Sequence, residues 1–335
     1  MTKRKKKVDI FRGILIILVV LGHAGQQNIH DFVFMFHMPL FFILTGFLYK
    51  DNTVLNMEYI KKNMRRLILP YVFYMLLILI LFDRDFSFIH LVSLVWGGRS
   101  ISGVYWYMTC LFITLVLFTF IRSKTTQTTA IILILVGGVV AVVESHIVKQ
   151  IEFLQSPGIP WNADVCLLAL VYVAIGFYFR TMINVLFESN DRKYDIVAGI
   201  IAMLLVVFCV VNSQYHWYSL DMKPVYYHEL LSVLLIPCAF GIVLIRLCTW
   251  LAKIKQISFL ADFLSFCGKV TIPIMFLHVP LNNFLDEKLK YTETNLGVII
   301  YLIVGMGVPV LIGWLAKKNR KSAKLFGVSY KNAGF

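Results

Sequence analysis

The stretch DIFRGILIILVVLGHAG, residues 9–25, decides how the rest of the chain is read. It is apolar enough to lie in lipid, yet it holds Arg12 and His23. Ionisable side chains are costly in hydrocarbon and are tolerated where they face a protein interior or a water-filled passage. Arg12 and His23 are eleven residues apart, so in an α-helix they return to within about 20° of one face, roughly 16 Å apart along the axis. The stretch therefore reads as a membrane helix with one face turned to an enclosed passage.

The remainder of the chain repeats the pattern. Its 335 residues are 59% hydrophobic and 15% charged, with a mean hydropathy of +0.78, well above that of a water-soluble chain. Apolar stretches long enough to cross about 30 Å of hydrocarbon recur at about 10–26, 32–49, 67–82, 104–121, 129–145, 161–179, 194–212, 226–250, 270–285 and 296–315. In lipid the backbone must satisfy its own hydrogen bonds, and these leucine, isoleucine and phenylalanine runs lack the alternation of barrel strands. The expected fold is an all-α polytopic bundle of about ten transmembrane helices. It forms one integral membrane domain over 1–335, with basic tails at about 1–8 and 317–335.

Charge sets the expected orientation. With both termini in the cytoplasm, 26 of the 32 lysines and arginines lie on that side, leaving Arg84, Arg99, Lys149, Lys223, Lys288 and Lys290 outside. This asymmetry follows the positive-inside rule and points to N-in, C-in. The net charge of +14 is then a response to anionic headgroups, without nucleic acid as a partner. The basic start followed by an apolar run has the outline of a secretory signal, but Arg12 interrupts the run and further spans follow, so it is read as an uncleaved first span. The six cysteines form no CxxC pair or histidine cluster, so neither disulfides nor a metal site is expected. There is no P-loop, HExxH or GxSxG motif.

The second span, FVFMFHMPLFFILTGF, carries His37 and Pro39. Proline removes one helical hydrogen bond and frees the carbonyl of Met35, so a kink is expected beside His37. Running from outside inward, the span places His37 at the depth of His23, where two imidazoles could share a cavity. Histidine suits that place, because its neutral form can take up a proton near pH 7. His278 lies in IPIMFLHVPL, between Pro273 and Pro280, in another helix expected to bend. Lys61, Lys62, Arg65 and Arg66 precede the third span, as in an interfacial helix.

DIFRGILIILVVLGH together with FHMPLFFILTGFLY resembles the start of the integral membrane acyltransferases called acyltransferase family 3, particularly the fucose acetylase-like branch. The likeness continues in RRLILPYVFY, in GVYWYMTCLF with Trp106, and in GKVTIPIMFLH ending at His278. One departure is Thr45, where the family often has serine.

The resemblance implies acyl transfer, usually of acetyl, from cytoplasmic acetyl-CoA to a hydroxyl of a cell-envelope sugar. It also links the arginine and histidine matched by Arg12 and His23 to activity. On that reading Arg12, Arg65 and Arg66 hold the CoA phosphates, and His23 is the general base. His37 or the Trp106 indole would steady the oxyanion, and Trp106 and His278 would line the substrate site. An acyl-histidine intermediate is the other mechanism. The partners expected are acyl-CoA, a carbohydrate acceptor (capsule, exopolysaccharide or lipid-linked sugar) and the lipid bilayer, and the location is the cell membrane. The alternative is a polysaccharide or solute exporter, since broken helices and buried ionisable groups suit transport as well.

Overall fold

The computed structural model describes residues 3–99, 104–294 and 296–330. Ser100 to Gly103 of the expected loop before the fourth span, and the ends of both basic tails, lie outside the described residues. The first helices are α1 (Lys3–Gly22), α2 (Gln27–Phe34), α3 (His37–Phe47), α4 (Met57–Asn63), α5 (Leu69–Ile78) and α6 (Phe88–Trp96). Next come α7 (Tyr105–Lys124), α8 (Gln127–Ile147), α9 (Glu152–Gln155), α10 (Val165–Tyr178), α11 (Arg180–Glu188) and α12 (Arg192–Tyr215). A two-stranded hairpin, β1 (Leu220–Asp221) with β2 (Tyr226–Tyr227), leads to α13 (Leu230–Leu251). The chain closes with α14 (Ser258–Lys269), α15 (Thr271–Leu289), α16 (Gly297–Ala316) and α17 (Arg320–Leu325).

The protein is an all-α polytopic membrane protein. Among the described residues, eight helical stretches are long and apolar enough to span a bilayer, and α14 with α15 form a further pair bent by 84°. These eight and α15 match nine of the ten expected spans. The remaining span falls on α1, whose first half carries seven charged residues from Lys3 to Arg12. The sharp bend comes at Val270, ahead of Pro273, and α15 then continues through Pro280. His278 therefore sits within one long helix rather than at the bend.

Burial separates inner from outer helices. The stretch Pro160–Tyr178, with α10, is 67% buried, whereas α12 is only 17% buried and shows Ile200, Met203, Leu204 and Val207 to the surroundings. An exposed apolar surface of that kind is what lipid contact requires.

Two glycine crossings fix the inner helices. A Cβ on Gly13 of α1 would lie 1.9 Å from the Leu264 carbonyl oxygen of α14, and one on Gly268 of α14 would lie 1.9 Å from that of Asp9. Gly46 of α3 and Gly176 of α10 repeat the arrangement against Val173 and Ile43, each at 1.9 Å. Small residues allow membrane helices to approach backbone to backbone, where dispersion replaces the missing hydrophobic drive. The first crossing brings Lys269 to the level of Asp9, and the second holds α3 in the centre.

Candidate active site

Pro70 and Pro39 shape the two ends of the site. Pro70 lacks the N–H that would bond the Arg66 carbonyl, and immediately before it the helix widens into a π-helical turn, Met64–Ile68. Such turns are common at functional positions. This one carries Arg65 and Arg66 to the wall of a cavity of about 1240 Å³.

Arg12, Lys62, Arg65, Arg66, Lys269, Lys317 and Lys324 all line that cavity. Asp9 lies between two of these cations, 3.9 Å from Arg12 Nη1 and 3.9 Å from Lys269 Nζ. The i,i+3 geometry of Asp9 and Arg12 is the pairing that the helix period allows. Burial of the Lys317 ammonium, reinforced by Lys269, holds it below its ordinary range. At the deeper end the lining turns apolar, with Ile16, Phe41, Leu44, Tyr107 and Met275. A cationic mouth over an apolar floor suits a polyanion with a slender apolar arm.

Pro39 acts on the second span as expected. The helix breaks between Phe34 and His37, and the Met35 carbonyl finds a donor in the Tyr218 hydroxyl, 3.3 Å away on the segment leading into the hairpin. That segment is pinned by Asn212, whose amide takes the Tyr218 N–H at 2.7 Å and donates to its carbonyl at 3.0 Å. Met222 and Val225 at the hairpin tip are buried. Beside them, burial raises the Asp221 carboxyl and lowers the Lys223 ammonium, the latter offset by Asp221 itself.

The break sets His37 among the rings of the first span. His23 lies 5.6 Å from Phe34 and 5.0 Å from His278, centroid to centroid, and Phe34 lies 4.8 Å from His37. Each imidazole is oriented in the same way. Nδ1 sits against the carbonyl four residues back, Val19 for His23, Val33 for His37 and Ile274 for His278, at 2.8, 2.8 and 2.9 Å. A carbonyl can only accept, so in each neutral ring Nδ1 carries the hydrogen and Nε2 keeps its lone pair. An Nε2 of that kind can take a proton from a hydroxyl. It can steady an oxyanion only as the imidazolium, which bears on the role expected of His37.

The sequence-based site residues thus fall into two groups. Arg12, Arg65 and Arg66 share the cavity, and His23 joins His278, with His37 linked through Phe34. The histidines do not line the cavity, but Phe41 and Met275 at its floor lie about one helical turn from His37 and His278 on the same helices. Trp106 belongs to neither group: it is buried, its ring contact is with Tyr107, and its carbonyl takes the Thr109 hydroxyl. Phe34, the cavity residues Lys62, Lys269 and Lys324, and the Tyr218 cap were not expected from sequence. Only Lys62, beside Arg65 and Arg66, carried a usable signal. Among the described residues no group of three histidines, cysteines or acids is placed to hold a metal ion.

Residues 5–316 match the sequence model of acyltransferase family 3, described as an acyltransferase domain, and the chain belongs to that family. Among curated proteins it is similar to two nodulation proteins NolL. That of Sinorhizobium fredii is 33% identical over 119 residues, covering 30% of this chain and 32% of the relative. That of Mesorhizobium japonicum is 28% identical over 168 residues, covering 44% and 43%. The chain thus spans less than half the length of either relative. No solved structure matches it.

Proposed function

We propose that this protein is a membrane O-acyltransferase that moves acetyl, or another short acyl group, from cytoplasmic acyl-CoA to a hydroxyl of a cell-envelope sugar. The observation that carries the reading is the division of α1, whose Arg12 end lines a cationic cavity and whose continuation ends at His23 beside a second imidazole. Family membership supports the reaction class.

In this reading the basic face is cytoplasmic, as the positive-inside rule supports, and the membrane is the cell membrane. Arg12, Arg65 and Arg66 hold the CoA phosphates, with bidentate guanidinium pairing fixing the donor's register. The pantetheine arm enters along Ile16, Phe41 and Met275 and carries the thioester toward His23, a helical rise of roughly 16 Å from Arg12. The sugar arrives from the other side, past the hairpin. His23 Nε2 takes the hydroxyl proton as the oxygen attacks the thioester carbon. The tetrahedral intermediate then expels the thiolate, which recovers the proton.

The test is NMR of the surface glycan from strains with and without the gene. Loss of O-acyl signals from an otherwise intact polymer is the expected result. Loss of the polymer itself would favour the exporter reading.

A further inference from the structure

We infer that His278 is the hydrogen-bond partner of the imidazolium that His23 becomes once it holds the hydroxyl proton, a role that rests on the base reading of His23. The two rings meet edge to face, with centroids 5.0 Å apart. His278 is fully buried, and among the described residues its Nε2 has no hydrogen-bond partner. Its Nδ1 hydrogen is already given to the Ile274 carbonyl at 2.9 Å, so the buried Nε2 is a bare acceptor. Buried acceptors without a donor are rare in folded proteins and call for an explanation.

His23 supplies the donor only during reaction. While neutral, it gives its one N–H to the Val19 carbonyl at 2.8 Å and presents a lone pair at Nε2. Two lone pairs cannot satisfy each other. Once His23 takes the hydroxyl proton, its Nε2 becomes an N–H donor, and rotation of the ring toward its neighbour lets the Nε2 of His278 accept it. The interaction exists only after proton transfer, so it stabilises the imidazolium of the tetrahedral intermediate, and the transition states that resemble it, without tightening the ground state.

The step balances without another reactant. The acceptor O–H bond breaks as its oxygen bonds the acyl carbon, and the proton rests on His23 Nε2, shared toward His278 Nε2. The C–S bond then breaks, the electron pair leaves with sulfur, and the thiolate takes the proton back.

The surroundings hold His278 in place for this task. Asn282 donates to the His278 carbonyl at 2.7 Å and receives the Tyr291 hydroxyl at 2.5 Å. Gly305 of α16 presses on the same turn, since a Cβ there would lie 3.2 Å from His278 Cβ.

The test uses the purified full-length protein in nanodiscs, with acetyl-CoA as donor and surface glycan from a deletion strain as acceptor. His278→Phe and His278→Leu, neither of which can accept a hydrogen bond, should lower kcat about 10- to 150-fold, the range for losing a hydrogen bond to a charged group. The KM of both substrates should hold. In a His23→Gln background, adding His278→Phe should cost nothing further, because the interaction it removes is already gone. Retained kcat in both single variants, a raised acceptor KM with kcat intact, or a further loss in the double variant would overturn the proposal. Elution as a monodisperse species verifies folding, and the Phe variant, which keeps a ring in place, decides the matter if the Leu variant fails. An active His23→Gln protein would instead sink the base reading itself.

Discussion

Arg12 lies within α1 and His23 is the residue that follows its last turn, eleven positions on, the first on the wall of a cationic cavity and the second in contact with His278. That relationship gives the two ends of α1 different jobs and separates their expected phenotypes.

Replacing His23 with alanine should leave the protein inserted and folded, since a small neutral residue suits a helix in lipid. Acyl transfer should fall by about 10²- to 10⁴-fold, the usual contribution of a positioned general base. Transfer of labelled acetyl from acetyl-CoA to glycan, measured at matched protein levels, checks this. Undiminished transfer would remove His23 from the chemistry.

Arg12→Ala should act on the donor. Loss of a charge-assisted contact to phosphate should raise the acetyl-CoA KM by about tenfold or more while the KM for glycan holds. A donor titration in nanodiscs reads it directly. The paired change Arg65→Ala with Arg66→Ala should shift the same parameter, because both line the same cavity.

Gly13→Ala probes the crossing that positions Arg12. The added Cβ would meet the Leu264 carbonyl oxygen at 1.9 Å, and backbone cannot yield as a side chain can. The variant should lose about 1–3 kcal/mol, the ordinary cost of overpacking, read as a lower thermal midpoint in detergent. At Gly199, where a Cβ meets nothing within 4 Å, the same substitution should leave the midpoint unchanged or raise it.

A buried ion pair away from the site provides a stability control. Arg99 Nη2 grips both oxygens of Asp164 at 2.5 and 2.6 Å, and Arg99 also bonds Asn162 and the Leu154 carbonyl. Arg99→Leu strands a buried carboxylate and should cost about 3–5 kcal/mol, whereas adding Asp164→Leu should recover part of the loss. Thermal unfolding of the single and double variants tests the non-additivity, and the donor KM of the folded fraction should not move.

Much of this protein was legible in its sequence, because lipid imposes a simple rule. Backbone polar groups without water must pair within helices, so runs of leucine and phenylalanine sufficed to give the class: among the described residues eight of the expected spans correspond to helical stretches of spanning length and composition, and a ninth to α15 of the bent pair. The 3.6-residue period predicts one face for Arg12 and His23, and the missing N–H of Pro39 located the break before His37. Sequence could not tell which helices meet. That Asp9 faces Lys269, that His278 lies beside His23, and that Tyr218 caps the Met35 carbonyl depend on contacts between segments distant in the chain. Those contacts are set by backbone approach at Gly13, Gly268, Gly46 and Gly176 and by the fit of surrounding side chains. Local periodicity fixes the direction of a side chain around its own helix, and only packing decides what it meets there.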